Sequence, residues 1–150
     1  MKTRWSGQIS SLQRVCFDSN AIIYALESVE PYALLVGRAL KSLEERSAIS
    51  VISTIVVLET LVKPMKERDQ EAIDEIEHFF RVMPNLLVRP MDGAVARSAA
   101  AIRARTQLPT PDAIIVATAL EERCDAIIGN DSYMAHQVKG IPYLYLEDYV

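Results

Sequence analysis

Short apolar runs alternate along this chain with longer segments in which apolar residues recur at helical spacing. The short runs predict strands over residues 14–17, 48–52, 86–88, 126–128 and 143–146. The longer segments predict helices over residues 21–26, 30–46, 55–62, 68–81, 91–105, 108–121 and 133–137. Alternating strands and helices are typical of a parallel sheet with helices on both faces. We therefore predict an α/β fold, a three-layer α/β/α domain with a central, mainly parallel sheet.

The segment 108–121 is apolar on almost every side after its first turn, and a helix of that kind is buried. Thr110 is the expected N-cap, and Pro111 suits the first helical position because it lacks an N–H group. Asp112 then lies in the first turn of a core helix. Taken alone, Asp112 is better explained as a residue that only caps the helix, where the helix dipole favours its charge, because helix caps are far commoner than active sites.

Two further acidic residues follow predicted strands. Asp18 comes directly after the strand over residues 14–17, and Asp131 comes shortly after the strand over residues 126–128. In open α/β sheets, ligands bind at the carboxyl ends of the strands. Either residue can instead be a simple helix cap, and Ser19 is an alternative cap for the helix after Asp18.

Glu59 is the only charged residue between positions 51 and 62. A carboxylate among apolar neighbours is costly to bury unless it is paired or bound to a metal. A partly exposed Glu59 paired with Lys63 explains the position as well as a functional role does. We expect this helix to end at Lys63 and Pro64, since the residue before a proline disfavours helical geometry.

The predicted topology brings the four acids to one edge. Carboxyl ends of parallel strands and amino ends of the following helices share that edge, which predicts a cluster of Asp18, Glu59, Asp112 and Asp131. Four carboxylates repel one another, and a divalent cation removes that repulsion. Hard oxygen ligands suit Mg²⁺ or Mn²⁺. The chemistry that follows is hydrolysis of a phosphodiester bond by metal-activated water.

Composition limits the function classes. The chain of 150 residues carries a net charge of −4, which argues against wrapping nucleic acid by bulk positive charge but not against a metal-dependent nuclease. No apolar run is long enough to span a bilayer and the N-terminus lacks a secretory pattern, so we expect a cytoplasmic protein with no membrane partner. Cys16 and Cys124 form no zinc-type spacing and are expected to be reduced thiols.

Residues 1–13 are mainly polar and include Trp5. The sequence leaves three explanations open for them: a disordered arm, a vector-derived remnant or an additional interaction segment. The remaining residues, 14–150, are expected to form a single domain.

Four short motifs occur in a fixed order, namely Phe17-Asp18-Ser19-Asn20-Ala21, a lone Glu59 in an apolar helix, the run 111–119 around Asp112, and Asn130-Asp131. Their order and spacing resemble the PIN-domain ribonuclease family. They are most similar to the VapC-type toxins of toxin–antitoxin pairs. The resemblance covers residues 14–150.

The resemblance implies a PIN-like α/β/α nuclease that hydrolyses RNA with Mg²⁺ or Mn²⁺. It implies metal ligation and catalysis by Asp18, Glu59, Asp112 and Asp131. It also implies site-ordering or substrate-binding roles for Ser19, Asn20, Thr110 and Asn130. Many members are homodimers, and toxin members are inhibited by a cognate antitoxin, so we expect a homodimer and an antitoxin partner.

The last motif departs from the family pattern. Gly129 replaces the usual threonine, Tyr133 stands where a further acid often occurs, and Met134 replaces an aromatic residue. These departures bear on the second metal site and leave open whether one or two ions bind.

RNA phosphates need positive partners despite the net negative charge. Arg103 and Arg105 come just before the 108–121 segment and are candidates to flank the site. Lys63, Lys66 and Arg68 follow Glu59 and form a second candidate rim. Each of these five residues can equally be a surface ion-pair partner.

Two other functions compete with the nuclease. A phosphatase or receiver-type domain would use Asp18 as phosphoryl acceptor, but Asn20 breaks the Asp-x-Asp pattern of the phosphatases and no acidic pair precedes the first strand as in receivers. The second alternative is a PIN-like module that binds RNA or protein, with weak or no catalysis.

Overall fold

The computed structural model describes residues 2–150, with side chains from Arg4 onward. The strands are β1 Arg14–Phe17, β2 Ile49–Ser53, β3 Leu86–Arg89, β4 Ala126–Gly129 and β5 Tyr143–Tyr145. The helices are α1 Lys2–Ile9, α2 Ser19–Glu27, α3 Tyr32–Glu45, α4 Thr54–Lys66, α5 Gln70–Val82, α6 Gly93–Arg105, α7 Thr110–Glu121 and α8 Ser132–Gln137. A 3-10 turn follows at Leu146–Tyr149.

The five strands form one sheet in the order β3-β2-β1-β4-β5, and every pairing between them is parallel. β1 lies in the centre, where Cys16 is opposite Val51 of β2 and Ile127 of β4. The chain order reverses at β1, because β2 lies on one side and β4 on the other. Such a switch point opens a crevice beyond the carboxyl ends of the two diverging strands. The predicted α/β/α fold with a parallel sheet is confirmed.

Helix α7 packs against β1, β2 and β4 and against the neighbouring helix α6. Every residue from Ala113 to Ala119 is buried, as the all-round apolar pattern predicted. The inner strands β1 and β4 are likewise buried at Val15, Cys16, Ile127 and Ile128. The first turn of α7 is therefore held rigidly from below by the core.

Two predicted helix ends are wrong. The N-cap of α7 is Pro109, because its carbonyl oxygen already accepts the first helical hydrogen bond, from Ala113 N at 3.0 Å. Thr110 is then the first helical residue. Helix α4 does not end at Pro64 but continues to Lys66. A proline removes only the bond to the carbonyl four residues earlier, and Pro64 lies in the last turn, where few bonds remain to be lost.

The N-terminal segment differs from the disordered arm that the sequence left open. Residues 2–9 form α1, and the indole of Trp5 is fully buried. Its Nε1 donates to the carbonyl oxygen of Leu35 in α3 at 2.8 Å, and its ring packs edge-on against Tyr149. Apolar burial and a satisfied indole N–H order this segment. Met1 lies outside the described residues.

Among the described residues, no helix combines the length and the apolar character that crossing a membrane requires. Both cysteines are free thiols, Cys16 in the core and Cys124 half-buried.

Candidate active site

Asp18 lies where β1 ends and α2 begins. Its extended backbone makes it the N-cap of α2, and its Oδ1 accepts a hydrogen bond from Ser19 N at 2.7 Å. Its Oδ2 accepts a bond from the Tyr143 hydroxyl at 3.1 Å. Only 5% of the residue is exposed. The capping interpretation is therefore correct, but it accounts for one oxygen of a nearly buried carboxylate.

Glu59 lies on α4, between one and two turns from its N-terminus, and is half-buried. The Ser19 hydroxyl donates a short hydrogen bond to Glu59 Oε1. The predicted pairing with Lys63 is absent from the described ion pairs, since Lys63 Nζ instead lies 3.0 Å from Glu27 Oε1. Among the described side chains Glu59 has no basic partner, and the Ser19 hydroxyl holds it near Asp18.

Asp112 occupies the first turn of α7 and is half-buried. Asp131 follows β4 and caps α8, where its Oδ1 accepts bonds from Tyr133 N at 2.9 Å and Met134 N at 3.1 Å. Both bonds use the same oxygen. The cap thus fixes the carboxylate of Asp131 while Oδ2 takes no part in it.

The structure brings the four predicted acids to a single cleft of about 310 Å³ at the switch point of the sheet. The residues that line it are Asp18, Ser19, Asn20, Ile23, Glu59, Asp112 and Asp131. No lysine or arginine is among these lining residues. The cleft therefore concentrates negative charge that the described side chains do not neutralise.

This concentration of charge changes the acidity of two carboxyls. The pKa of Asp18 is raised from 3.8 to about 7, chiefly by burial and also by the negative charges of Asp112 and Asp131, which together outweigh the hydrogen bonds from Ser19 and Tyr143. Burial also raises the pKa of Asp112 to about 6, with added repulsion from Asp131 and Glu59. Both shifts disfavour the ionised forms of these two carboxyls, as burial and neighbouring like charges do.

The donor set fits a hard divalent cation. Carboxylate oxygens from four elements face one cleft, and none of the lining residues is a soft or cationic ligand. Within the described part of the chain, no three side chains of His, Cys, Asp or Glu are placed so that together they could hold a metal ion. That is consistent with Mg²⁺, which binds through one or two carboxylates and keeps several waters.

Asn20 and Asn130 join the two strand ends beside the acids. Asn130 N donates to Asn20 Oδ1 at 3.1 Å, and Asn130 Nδ2 donates to the Tyr24 hydroxyl at 3.3 Å. Asn130 Oδ1 accepts from Glu147 N at 2.9 Å. Asn20 thus fixes the loop that carries Asp131.

The other predicted site residues lie outside the lining of the acidic cleft. Arg103 Nη1 donates to Thr110 Oγ1 at 3.0 Å and its Nε donates to the carbonyl oxygen of Leu108 at 3.1 Å, so it braces the turn before α7. Arg103 and Thr110 border a separate groove between α6 and α7. Arg105 is exposed at the end of α6. Lys66 and Arg68 are exposed at the end of α4.

Sequence reasoning missed Tyr143 as a site residue. Its hydroxyl contacts Asp18 Oδ2 and also accepts a bond from Asp131 N at 3.1 Å. The one available signal was Gly129, where the family pattern has a hydroxyl-bearing residue. The position of Tyr143 beside that glycine depends on the pairing of β5 with β4, which a single sequence does not give.

Comparison with solved structures finds similar folds. VapBC2 from Rickettsia felis, bound to a DNA fragment from its promoter, has 14% identity and a TM-score of 0.68, covering 88% of this chain and 98% of that chain. A toxin–antitoxin complex from Klebsiella pneumoniae has 24% identity and a TM-score of 0.63, covering 85% and 94%. FitAcB from Neisseria gonorrhoeae has 18% identity and a TM-score of 0.64, covering 87% and 96%. At these identities the likeness concerns the fold alone.

Comparison by sequence adds the family. No curated protein matches the chain. The family model described as PIN domain matches residues 15–139, which begin in β1 and end after α8 and so include all four acids of the cleft. Because that match covers most of its length, the chain belongs to the PIN domain family.

Proposed function

We propose that this protein is a Mg²⁺- or Mn²⁺-dependent endoribonuclease. The observation that carries the proposal is the acidic cleft, in which Asp18, Glu59, Asp112 and Asp131 converge without a basic side chain in its lining. Its place at the switch point of the sheet is where α/β folds bind substrates. PIN family membership favours a nuclease over other metal-dependent hydrolases.

The four acids line the cleft that the cation would enter, and each is oriented by a different contact. Asp18 is held by Ser19 N and Tyr143, Glu59 by the Ser19 hydroxyl, and Asp131 by the first turn of α8. Asp112 is fixed by the buried helix behind it. When bound, the ion supplies charge neutralisation and lowers the pKa of a coordinated water.

The reaction is hydrolysis of an RNA phosphodiester bond. Oxygen from water forms a new bond to phosphorus while the bond from phosphorus to the leaving ribose oxygen breaks. The products are a phosphate monoester and a free hydroxyl. The protein contributes to this reaction in two ways. The lining of the cleft contains no basic side chain that would compete with the cation, and the contacts described above hold the carboxylates in place.

The decisive experiment replaces Asp18 or Asp112 with asparagine, which keeps the size and removes the charge. We expect Asp18→Asn and Asp112→Asn to abolish Mn²⁺-dependent RNA cleavage while the circular dichroism spectrum stays native. Asp74→Asn, on the exposed face of α5, is the matched control and should cleave normally. Full activity in either cleft variant would refute the nuclease.

We further propose that the protein is the toxin of a toxin–antitoxin pair, a homodimer that acts in the cytoplasm. Support comes from structural neighbours whose own descriptions are toxin–antitoxin assemblies. Induced expression should arrest growth, and co-expression of a small protein encoded beside it should relieve the arrest. Light scattering should give twice the mass of 16.8 kDa. Growth that continues under expression of active enzyme would argue for a free-standing nuclease.

One observation favours a binding module with weak or no catalysis. Among the described residues, no three side chains of His, Cys, Asp or Glu are placed so that together they could hold a metal ion. Thermal unfolding with and without Mn²⁺ separates the two functions, because an ion that binds only the native state raises the melting temperature. We expect a rise. RNA binding without a Mn²⁺ shift or turnover would favour the module.

A further inference from the structure

Gly129 ends β4 beside Asp18 and has no room for a side chain. A Cβ built there would lie 2.2 Å from the Tyr143 hydroxyl oxygen, 2.8 Å from Asp18 Cβ and 2.9 Å from Asp18 Oδ2. Real Cβ atoms essentially never make non-bonded contacts this short. The backbone at Gly129 does not need the left-handed conformation, so glycine is required here by space alone.

The space beside Gly129 is filled by a side chain from the neighbouring strand. Tyr143 lies on β5, opposite Ile127 of β4, and its hydroxyl passes the glycine to reach Asp18 beyond β1. Because β4 lies between β5 and β1, the side chain must cross toward a strand roughly 9–10 Å away. Only a long side chain passing over a residue without a Cβ makes that contact.

The Tyr143 hydroxyl uses both of its hydrogen-bonding functions. It donates to Asp18 Oδ2 at 3.1 Å and accepts from the backbone N–H of Asp131 at 3.1 Å. One oxygen atom thus connects the acid at the end of β1 with the backbone of the acid that follows β4. Its ring is half-buried, which limits its freedom to leave this position.

We propose that Tyr143 is a positioning residue, which fixes the Asp18 carboxylate relative to the Asp131 loop through the gap left by Gly129. Gly129 and Tyr143 then act as one unit: the glycine admits the hydroxyl, and the hydroxyl supplies the polar contact that no side chain at position 129 can make. This inference rests on the proposed function, since it assigns the unit to orienting the ligands of a divalent cation.

The orientation of Asp18 follows from this contact. Ser19 N holds Oδ1 and Tyr143 holds Oδ2, so each oxygen has a fixed partner and a fixed remaining lone-pair direction. Removing the phenol hydroxyl frees the carboxylate to rotate about its last torsion. Loss of a hydrogen-bond partner behind a metal ligand typically costs about 10–100-fold in metal affinity or activity.

The test is Tyr143→Phe, which keeps the ring and removes the hydroxyl. We expect Mn²⁺ affinity, measured by electron paramagnetic resonance without RNA, to fall about 10–100-fold. We expect kcat to fall by a similar factor and KM for RNA to stay near its wild-type value. The matched control is Tyr145→Phe on the same strand, for which the described contacts include no side-chain hydrogen bond; it should bind Mn²⁺ normally. Wild-type Mn²⁺ affinity in Tyr143→Phe would overturn the inference.

A second variant keeps the inference falsifiable if Tyr143→Phe folds poorly. Gly129→Ala leaves Tyr143 intact but places a methyl where the hydroxyl lies, so it should lose Mn²⁺ affinity too. The double variant should lose less binding free energy for Mn²⁺ than the sum of the two single losses, because both changes disrupt the contact between the Tyr143 hydroxyl and Asp18. Additive losses would overturn the coupling of the pair.

Failure of this inference is distinguishable from failure of the proposed function. If the wild type binds Mn²⁺ but cleaves no RNA, and Tyr143→Phe weakens Mn²⁺ binding, the positioning role of Tyr143 is supported and the proposed nuclease activity is refuted. If the wild type cleaves RNA and Tyr143→Phe binds Mn²⁺ and cleaves as well, the nuclease stands and the positioning role falls. A wild type that binds no Mn²⁺ overturns both.

Discussion

The two ends of α7 carry carboxylates in opposite surroundings. At its start, Asp112 faces three other acids across a cleft lined by no basic side chain. Just after its end, Glu122 receives Arg14 Nη2 at 2.8 Å and Arg89 Nη1 at 2.7 Å, one on each oxygen. The same helix therefore connects an unneutralised cluster with a neutralised one.

The difference appears in the acidity of the two groups. Burial raises the pKa of Asp112 to about 6, whereas the arginines outweigh burial and hold the pKa of Glu122 below its usual value. This fold can thus bring arginines from two strands to a carboxylate when one needs a partner. No arginine lines the acidic cleft, and this absence distinguishes the proposed cation site from the structural ion pairs of Glu122.

The largest effect is expected from placing a positively charged side chain in the acidic cleft, which removes its difference from the neutralised cluster around Glu122. Ile23 lines the cleft and is half-buried. We expect Ile23→Lys to lower Mn²⁺-dependent cleavage by at least about 100-fold, because the ammonium competes with the metal for the same carboxylates. The metal-free variant should melt at a higher temperature than the metal-free wild type. Ile23→Met is the uncharged control. If Ile23→Lys cleaved RNA as fast as Ile23→Met, the prediction would be contradicted.

The converse change removes the acid from the neutralised cluster. Glu122→Gln removes the ion-pair partner of Arg14 and leaves Arg89 paired with Asp92 alone. We expect the free energy of unfolding to drop by about 2 kcal/mol, less than for fully buried pairs because both arginines are partly exposed. Urea unfolding measures this loss. RNA cleavage per folded molecule should not change. An equal loss in Glu121→Gln, the neighbouring control, would show that the ion pairs are not the cause.

Stability against pH sharpens the comparison further. Asp18 has a pKa of about 7 in the folded protein and an ordinary value of 3.8 when unfolded, so the folded state binds more protons between these values. The contribution of Asp18 to the stability of the metal-free protein should therefore be largest below about pH 4. It should be lost as the pH rises through about 7. Asp112 adds the same trend with its pKa of about 6.

This trend is checked by measuring the melting temperature of the metal-free protein from about pH 5 to about pH 8, a range that brackets the two pKa values. The melting temperature should fall with rising pH in the wild type and fall less in Asp18→Asn. Saturating Mn²⁺ should flatten the curve, because the ion replaces the proton. A melting temperature that rises across this range would contradict the assigned pKa direction.

The smallest effect concerns the turn that leads into α7. Thr110→Val removes the acceptor for Arg103 Nη1, and we expect about 0.5–1 kcal/mol of lost stability. Since neither residue lines the acidic cleft, kcat should change less than about threefold, which corresponds to under 1 kcal/mol. A tenfold loss of kcat at unchanged stability would instead place Thr110 in the catalytic machinery.

The parts of this structure that sequence predicted are those governed by local pattern. The bounds of β1 and the all-round burial of α7 follow from apolar periodicity. The meeting of Asp18, Glu59, Asp112 and Asp131 follows from the rule that strand and helix ends share an edge.

The parts that sequence missed depend on long-range placement. Tyr143 reaches Asp18 only because β5 pairs with β4, and Glu122 meets two arginines that are far from it along the chain. The cap of α7 was misplaced by one residue, because the choice between Pro109 and Thr110 is decided by which carbonyl accepts the first helical bond. None of these contacts leaves a periodic signal.

The docking of α1 also places an intrinsic fluorescence probe, Trp5, in the core of the protein. Trp5 is the sole tryptophan, and it packs edge-on against Tyr149, four residues after Tyr145 of β5. The fluorescence emission of Trp5 should therefore depend on whether α1 is packed against the 3-10 turn that contains Tyr149. Glu147, in the same 3-10 turn as Tyr149, donates its backbone N–H to Asn130 beside the acidic cleft. A fluorescence change on Mn²⁺ addition would thus report, from the far end of the chain, that the loop of Asp131 has moved.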